Sequence, residues 1–127
     1  MAINLLIVDD SSVMRSMIAK ALRMSGIELS AIYEAGNGKE GLDRLDEQSI
    51  DLAIIDINMP VMNGEEMIDH MRSRPDTRQI PVIVISTEGS EARIKQLKEK
   101  GARFIHKPFT PERIRDVINE LVGRQNA

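Results

Sequence analysis

No cysteine occurs in the 127 residues, which excludes disulfides and thiolate chemistry. Histidine is nearly as scarce; two copies leave a zinc site short of its usual ligands. No apolar run approaches the ~20 residues that span a bilayer. The first residues also lack the basic segment and long apolar stretch of a signal peptide. The formal net charge is −3, so the basic surface on which nucleic-acid affinity rests is not expected. A hydrophobic share of 42% beside 29% charged residues is that of a globular protein able to bury one sizeable core. The expectation is a single domain over 1–127 in the bacterial cytoplasm, with no nucleic-acid or membrane partner.

Five short apolar runs recur along the chain, each followed by a longer amphipathic segment. They are Leu5-Leu6-Ile7-Val8, residues 29–33, Leu52-Ala53-Ile54-Ile55, Val82-Ile83-Val84-Ile85 and Phe104-Ile105. The first, third and fourth are apolar at nearly every position, as in strands buried on both faces. Val13, Met14, Met17, Ile18, Ala21 and Leu22 step at helical intervals, as do Ile114, Val117, Ile118, Leu121 and Val122. Met14, Met17 and Met24 are expected to fill the core. Ser11 or Ser12 can cap the first helix, which should stop near Gly26, and Thr110-Pro111 suits the start of the last. Further helices are expected at about 39–47, 64–73 and 91–100. The pattern is α/β, (βα)5, with right-handed crossovers and a parallel five-stranded sheet.

Ligands of such sheets bind beyond the carboxyl ends of the strands. The residues there form a coherent set: Asp9-Asp10 after the first strand, Asp56 after the third, Ser86-Thr87 after the fourth and Lys107-Pro108 after the fifth. Three crowded carboxylates repel one another, so keeping all of them ionised requires a cation. An oxygen-only ligand set suits a hard divalent ion such as Mg²⁺. That ion and Lys107 would flank the oxygens of a phosphoryl group in transfer, a reaction that asks a protein mainly for electrostatic positioning. Asp56, opening the loop after a central strand, is the expected nucleophile, and Ser86 can donate a hydrogen bond to the attached group.

With these stretches, together with Asp56-Ile57-Asn58-Met59-Pro60 and Ile85-Ser86-Thr87-Glu88, the chain resembles a response-regulator receiver domain over essentially its whole length. Within that family it is most similar to the stand-alone chemotaxis type. The resemblance implies a flavodoxin-like doubly wound sheet of order 2-1-3-4-5 with helices on both faces. It implies that Asp56 takes phosphate from a phosphohistidine of a sensor histidine kinase. Asp10, Asp56 and the Asn58 backbone carbonyl would ligate Mg²⁺, Asp9 would act through bound water, and the Lys107–Pro108 bond would be cis. Asn58 and Glu88 would tune how fast the phosphate is lost. Ser86 and Phe104 would switch an output surface made of the fourth helix, fifth strand and fifth helix. A flagellar motor switch and a phosphatase are the implied partners of a monomer that catalyses only its own phosphorylation and slow dephosphorylation.

Two residues depart from the chemotaxis type: Ser86 replaces threonine and Phe104 replaces tyrosine, removing a methyl and a hydroxyl from the expected relay. Phe104 and His106 should share one side of the last strand. Arg93, Lys95, Lys98, Lys100 and Arg103 form a basic stretch that would steer an acidic peptide, or else a solvated helix balanced by Glu91 and Glu99. A Mg²⁺-dependent phosphatase with an aspartyl-phosphate intermediate is disfavoured because Asn58 cannot shuttle a proton. A flavin module is disfavoured because Asp9-Asp10 would repel an anion. A receiver of another relay, or one cut from a longer regulator, is the alternative within the family.

Overall fold

A computed structural model describes the backbone of residues 2–126 and the side chains of residues 2–122. Five strands alternate with five helices: β1 (Ile3–Val8), α1 (Ser12–Met24), β2 (Leu29–Ala35), α2 (Gly38–Glu47), β3 (Leu52–Ile55), α3 (Gly64–Ser73), β4 (Val82–Ser86), α4 (Glu91–Glu99), β5 (Ala102–His106) and α5 (Pro111–Asn126). All strand pairs are parallel, and the sheet order is β2-β1-β3-β4-β5. The (βα)5 expectation and its strand order both hold.

The apolar runs split by alternation into two cores. Leu6, Val8, Ala53, Ile55, Val82 and Val84 face α2, α3 and α4, meeting Leu42, Met67, Met71 and Leu97. Their neighbours Leu5, Ile7, Leu52, Ile54, Ile83 and Ile85 face α1 and α5, meeting Ile18, Leu22, Ile114 and Val117. Burial on both sides explains why these strands read as continuous hydrophobic segments.

The caps follow the local sequence. Ser11 Oγ accepts from Met14 N–H at 3.1 Å, and Thr110 Oγ1 accepts from Arg113 N–H at 3.1 Å. Asn63 and Glu66 form a reciprocal capping box at the start of α3.

One expectation fails. Met17 and Met24 are 52% and 66% exposed and are not core filler, whereas Met14 packs, partly buried, against the α1–α5 core. The inward face of α1 is carried by Ile18, Ala19, Ala21 and Leu22. The outward methionines instead line, with Met14, Lys107 and Phe109, an open groove of about 680 Å³ between α1 and the start of α5.

The helix α4 is seated differently from its neighbours. Leu97 is its one buried side chain among the described residues. Arg72 of α3 donates to the carbonyls of Lys100 at 2.8 Å, Arg78 at 3.0 Å and Ile80 at 2.8 Å, and burial lowers its pKa. Gly101, at φ +85°, turns the chain from α4 into β5 beside this guanidinium.

Candidate functional site

Parallel pairing brings the carboxyl ends of β1 and β3 side by side, with Asp56 N–H donating to Val8 O at 2.9 Å. Asp9 N–H donates to Ala35 O at 3.1 Å, which fixes the residue that follows β1. Carboxylate oxygens of Asp9, Asp10 and Asp56 all lie within 4.8 Å of one another. Lys107 reaches the same point from the end of β5, its N–H donating to Ser86 O at 2.9 Å and its peptide bond to Pro108 cis. Its Nζ stands 3.6 Å from Asp9 Oδ2 and 3.8 Å from Asp56 Oδ1.

The two ends of the Asp9 carboxylate have different surroundings. Oδ1 accepts from Ser11 N–H at 2.9 Å, whereas Oδ2 is buried and accepts no hydrogen bond. Arg15 Nη1 donates to the Asp9 carbonyl at 2.6 Å, which anchors the main chain and leaves the carboxylate to face inward. Burial pushes the Asp9 carboxyl above its ordinary value, against the opposing pull of Ser11 N–H and Lys107. Asp56 is also pushed up, first by burial and then by the negative charge of Asp9, with Lys107 opposing. One lysine therefore leaves negative charge uncompensated at this edge. An orphaned buried oxygen beside two further carboxylates fits a hard divalent cation held by oxygen donors.

The loop after Asp56 is tightly constrained. A Cβ on Gly64 would lie 2.2 Å from the Asp56 carbonyl oxygen, so the start of α3 can abut Asp56 only with glycine there. Gly64 N–H donates to Ile57 O at 2.8 Å, and Gly38 N–H donates to Met62 O at 2.9 Å. Between them Val61 adopts φ +66°, an unusual backbone for a β-branched residue, while its side chain is 78% exposed.

Asp9, Asp10, Asp56 and Lys107 are thus brought together. Ser86 is buried at the end of β4, its Oγ accepting from Glu88 N–H at 3.2 Å. The Asn58 side chain is exposed. Glu88 is engaged elsewhere: Arg93 Nη1 donates to its carboxylate at 2.9 Å, and Arg93 Nε also donates to Glu65 of α3. The charged hydrogen bond with Glu65 raises the Arg93 pKa. Phe104 is half-buried against the α2–α4 core and meets His106 edge-on, their ring centroids 4.7 Å apart, as alternation requires.

The basic stretch is not uniformly solvated. Arg93 pairs with Glu65 and Glu88, Lys100 with Asp69 at 2.8 Å, and Arg103 with Glu120 at 2.5 Å. These partners are not the Glu91 and Glu99 expected from sequence. Lys95 and Lys98 make no ion pair among the described residues. Sequence reasoning missed Glu65 and Arg72 because no local pattern marks them, and Arg93 and the Lys100 carbonyl each lie 28 residues away in the chain.

Among known proteins, the family model described as "Response regulator receiver domain" matches residues 5–119. The chain is 38% identical over 122 residues to "Chemotaxis protein CheY1" of Helicobacter pylori, covering 94% of this chain and 97% of that protein. It is 36% identical over 124 residues to "Chemotaxis protein CheY" of Bacillus subtilis, covering 97% of this chain and all of the relative. Among solved structures, Vibrio cholerae chemotaxis protein CheY4 aligns with a TM-score of 0.83 at 30% identity, over 95% of this chain and 99% of that one. The signal receiver domain of a histidine kinase from Syntrophus aciditrophicus aligns with a TM-score of 0.81 at 28% identity, over 97% and 92% of the two chains.

Proposed function

This chain belongs to the response regulator receiver domain family, and from that premise we propose that it accepts a phosphoryl group on Asp56 from a phosphohistidine of a sensor histidine kinase. The observation that supports this most is the meeting of Asp9, Asp10, Asp56 and Lys107 at one sheet edge. A carboxylate oxygen of Asp56 forms the bond to phosphorus as the P–N bond breaks, and the electron pair returns to the imidazole nitrogen. Asp10, Asp56 and the Asn58 backbone carbonyl would hold Mg²⁺, and Asp9 would act through bound water. When bound, the ion neutralises charge on the carboxylates and the phosphoryl oxygens. Lys107 supplies a fixed positive charge from the opposite strand, and Ser86 a hydroxyl donor.

The protein is a signalling phosphoacceptor rather than a turnover enzyme, one receiver domain spanning 1–127 and acting as a cytoplasmic monomer. No helix among the described residues is long and apolar enough to cross a membrane. Its output surface is α4, β5 and α5, with Ser86 and Phe104 as the relay and Asn58 and Glu88 as tuners of phosphate loss. The chemotaxis-named relatives favour a chemotaxis kinase upstream, a flagellar motor switch downstream and a phosphatase that resets the signal. The similarity to a histidine kinase's receiver favours a second reading, a receiver of another relay or part of a longer regulator.

The test is phosphotransfer from a chemotaxis kinase domain labelled on its histidine. Label should pass to wild type and not to Asp56→Asn. If label stays on that kinase while a small-molecule phosphodonor labels Asp56, the chemotaxis reading fails and the second reading stands.

A further inference from the structure

The sheet edge described above is joined to α4 by a continuous polar chain. Ser86 Oγ accepts from Glu88 N–H, the Glu88 carboxylate accepts from Arg93, and Arg93 also binds Glu65 in the first turn of α3. Glu65 directly follows Gly64, whose Cα abuts the Asp56 carbonyl. The chain therefore begins at the hydroxyl beside the site and ends on the helix that rests against Asp56. Its central carboxylates are both largely shielded, with Glu88 at 17% and Glu65 at 22% side-chain exposure, and one guanidinium serves both. Without Arg93 these like charges would repel at the mouth of the β4–α4 loop.

The opposite end of α4 is held in another way. Arg72 binds the Lys100 carbonyl, and Lys100 Nζ pairs with Asp69. Between the two ends only Leu97 is buried, so little apolar packing fixes the helix. An element with polar tethers at both ends and one buried residue can move about one tether when the other opens.

A phosphoryl group on Asp56 adds roughly two negative charges and three strong acceptors beside β4. If Ser86 turns toward those acceptors, it carries the Glu88 backbone with it, and Arg93 resists through its hold on Glu88 and Glu65. We propose that Arg93 is a positioning residue: a latch that holds the Ser86–Glu88 turn and the N-terminal end of α4 in the unphosphorylated arrangement, so that phosphorylation must work against it. The inference rests on the phosphoacceptor reading of Asp56.

Beryllofluoride with Mg²⁺, a stable mimic of the aspartyl phosphate, provides the probe, and ¹⁹F NMR titration gives its affinity. If the latch restrains the competent arrangement, releasing it raises the apparent affinity by enlarging the competent fraction. Arg93→Gln should bind the probe about threefold to tenfold more tightly than wild type, as expected for loss of two partly exposed ion pairs. Glu65→Gln, which leaves the arginine in place, should shift affinity in the same direction. Added NaCl should narrow the gap between Arg93→Gln and wild type, because the latch is ionic. A merely structural loss would lower stability without tightening the probe. Unchanged or weaker binding by both variants, with wild type binding normally, overturns the latch. No binding by wild type overturns the reading of Asp56 instead.

Discussion

The Lys107 ammonium stands 3.8 Å from Oδ1 of Asp56, although the two residues come from the ends of different strands with β4 between them. Its position follows from the β4–β5 register and from the bond between Lys107 N–H and Ser86 O. Lys107 opposes the upward push that burial exerts on the Asp56 carboxyl.

Replacing this lysine removes a cation aimed at the reacting oxygens. Lys107→Met should slow phosphoryl uptake from a small-molecule donor by about a hundredfold, the scale for loss of one preorganised electrostatic group. The Asp56 carboxyl should also titrate at higher pH than in the metal-free wild type. Label incorporation rates and carboxyl ¹³C shifts measure the two effects; an unchanged rate would remove Lys107 from the chemistry.

Asp9 predicts a pH-dependent stability. Burial raises its folded-state pKa, so the folded protein holds this proton to higher pH than the unfolded chain does. Ionised Asp9 therefore costs stability at neutral pH, and the cost is relieved as pH falls through the folded-state value. In metal-free protein at pH 7, Asp9→Asn should be more stable than wild type by about 1 kcal/mol, the scale of an unsatisfied buried acceptor. The gap should shrink on acidification, and Mg²⁺ should stabilise wild type more than the variant. Urea unfolding at several pH values tests this; a pH-independent gap would contradict it.

Val61 holds a left-handed backbone with an exposed side chain, so its β-branch adds strain with little packing in return. Val61→Asn should raise stability by about 1 kcal/mol, because asparagine tolerates this region. Calorimetry would show the gain as a higher Tm. A loss would mean that the valine side chain supports the loop after all.

The chain shows most of this fold through continuous apolar runs and the helical periodicity between them, because β1, β3 and β4 are buried on both faces and their strand ends carry polar and charged residues. Asp9, Asp56 and Ser86 are legible for that reason, since each directly follows or closes a buried run, whereas Asp10 stands one residue further on and Lys107 follows the partly buried β5. Met17 and Met24 were misread because helical spacing shows that residues share a face, not that something covers it. Here Ile18, Ala21 and Leu22 satisfy the sheet, and the methionines are left along a groove. Arg72 and Arg93 were opaque for another reason. Their roles depend on carbonyls and carboxylates that the packing of α3 beside α4, and for Arg72 also the folding-back of the α3–β4 connection, brings within reach.

The central claim is that Asp56 is the phosphoacceptor and that a divalent cation enables it. Intact-mass spectrometry after incubation with a small-molecule phosphodonor tests this most directly, with and without Mg²⁺, on wild type and Asp56→Asn. One added phosphoryl group on wild type, only with Mg²⁺, and none on the variant is the predicted result. Equal labelling of both proteins, or full labelling of wild type in the presence of a chelator, would contradict it.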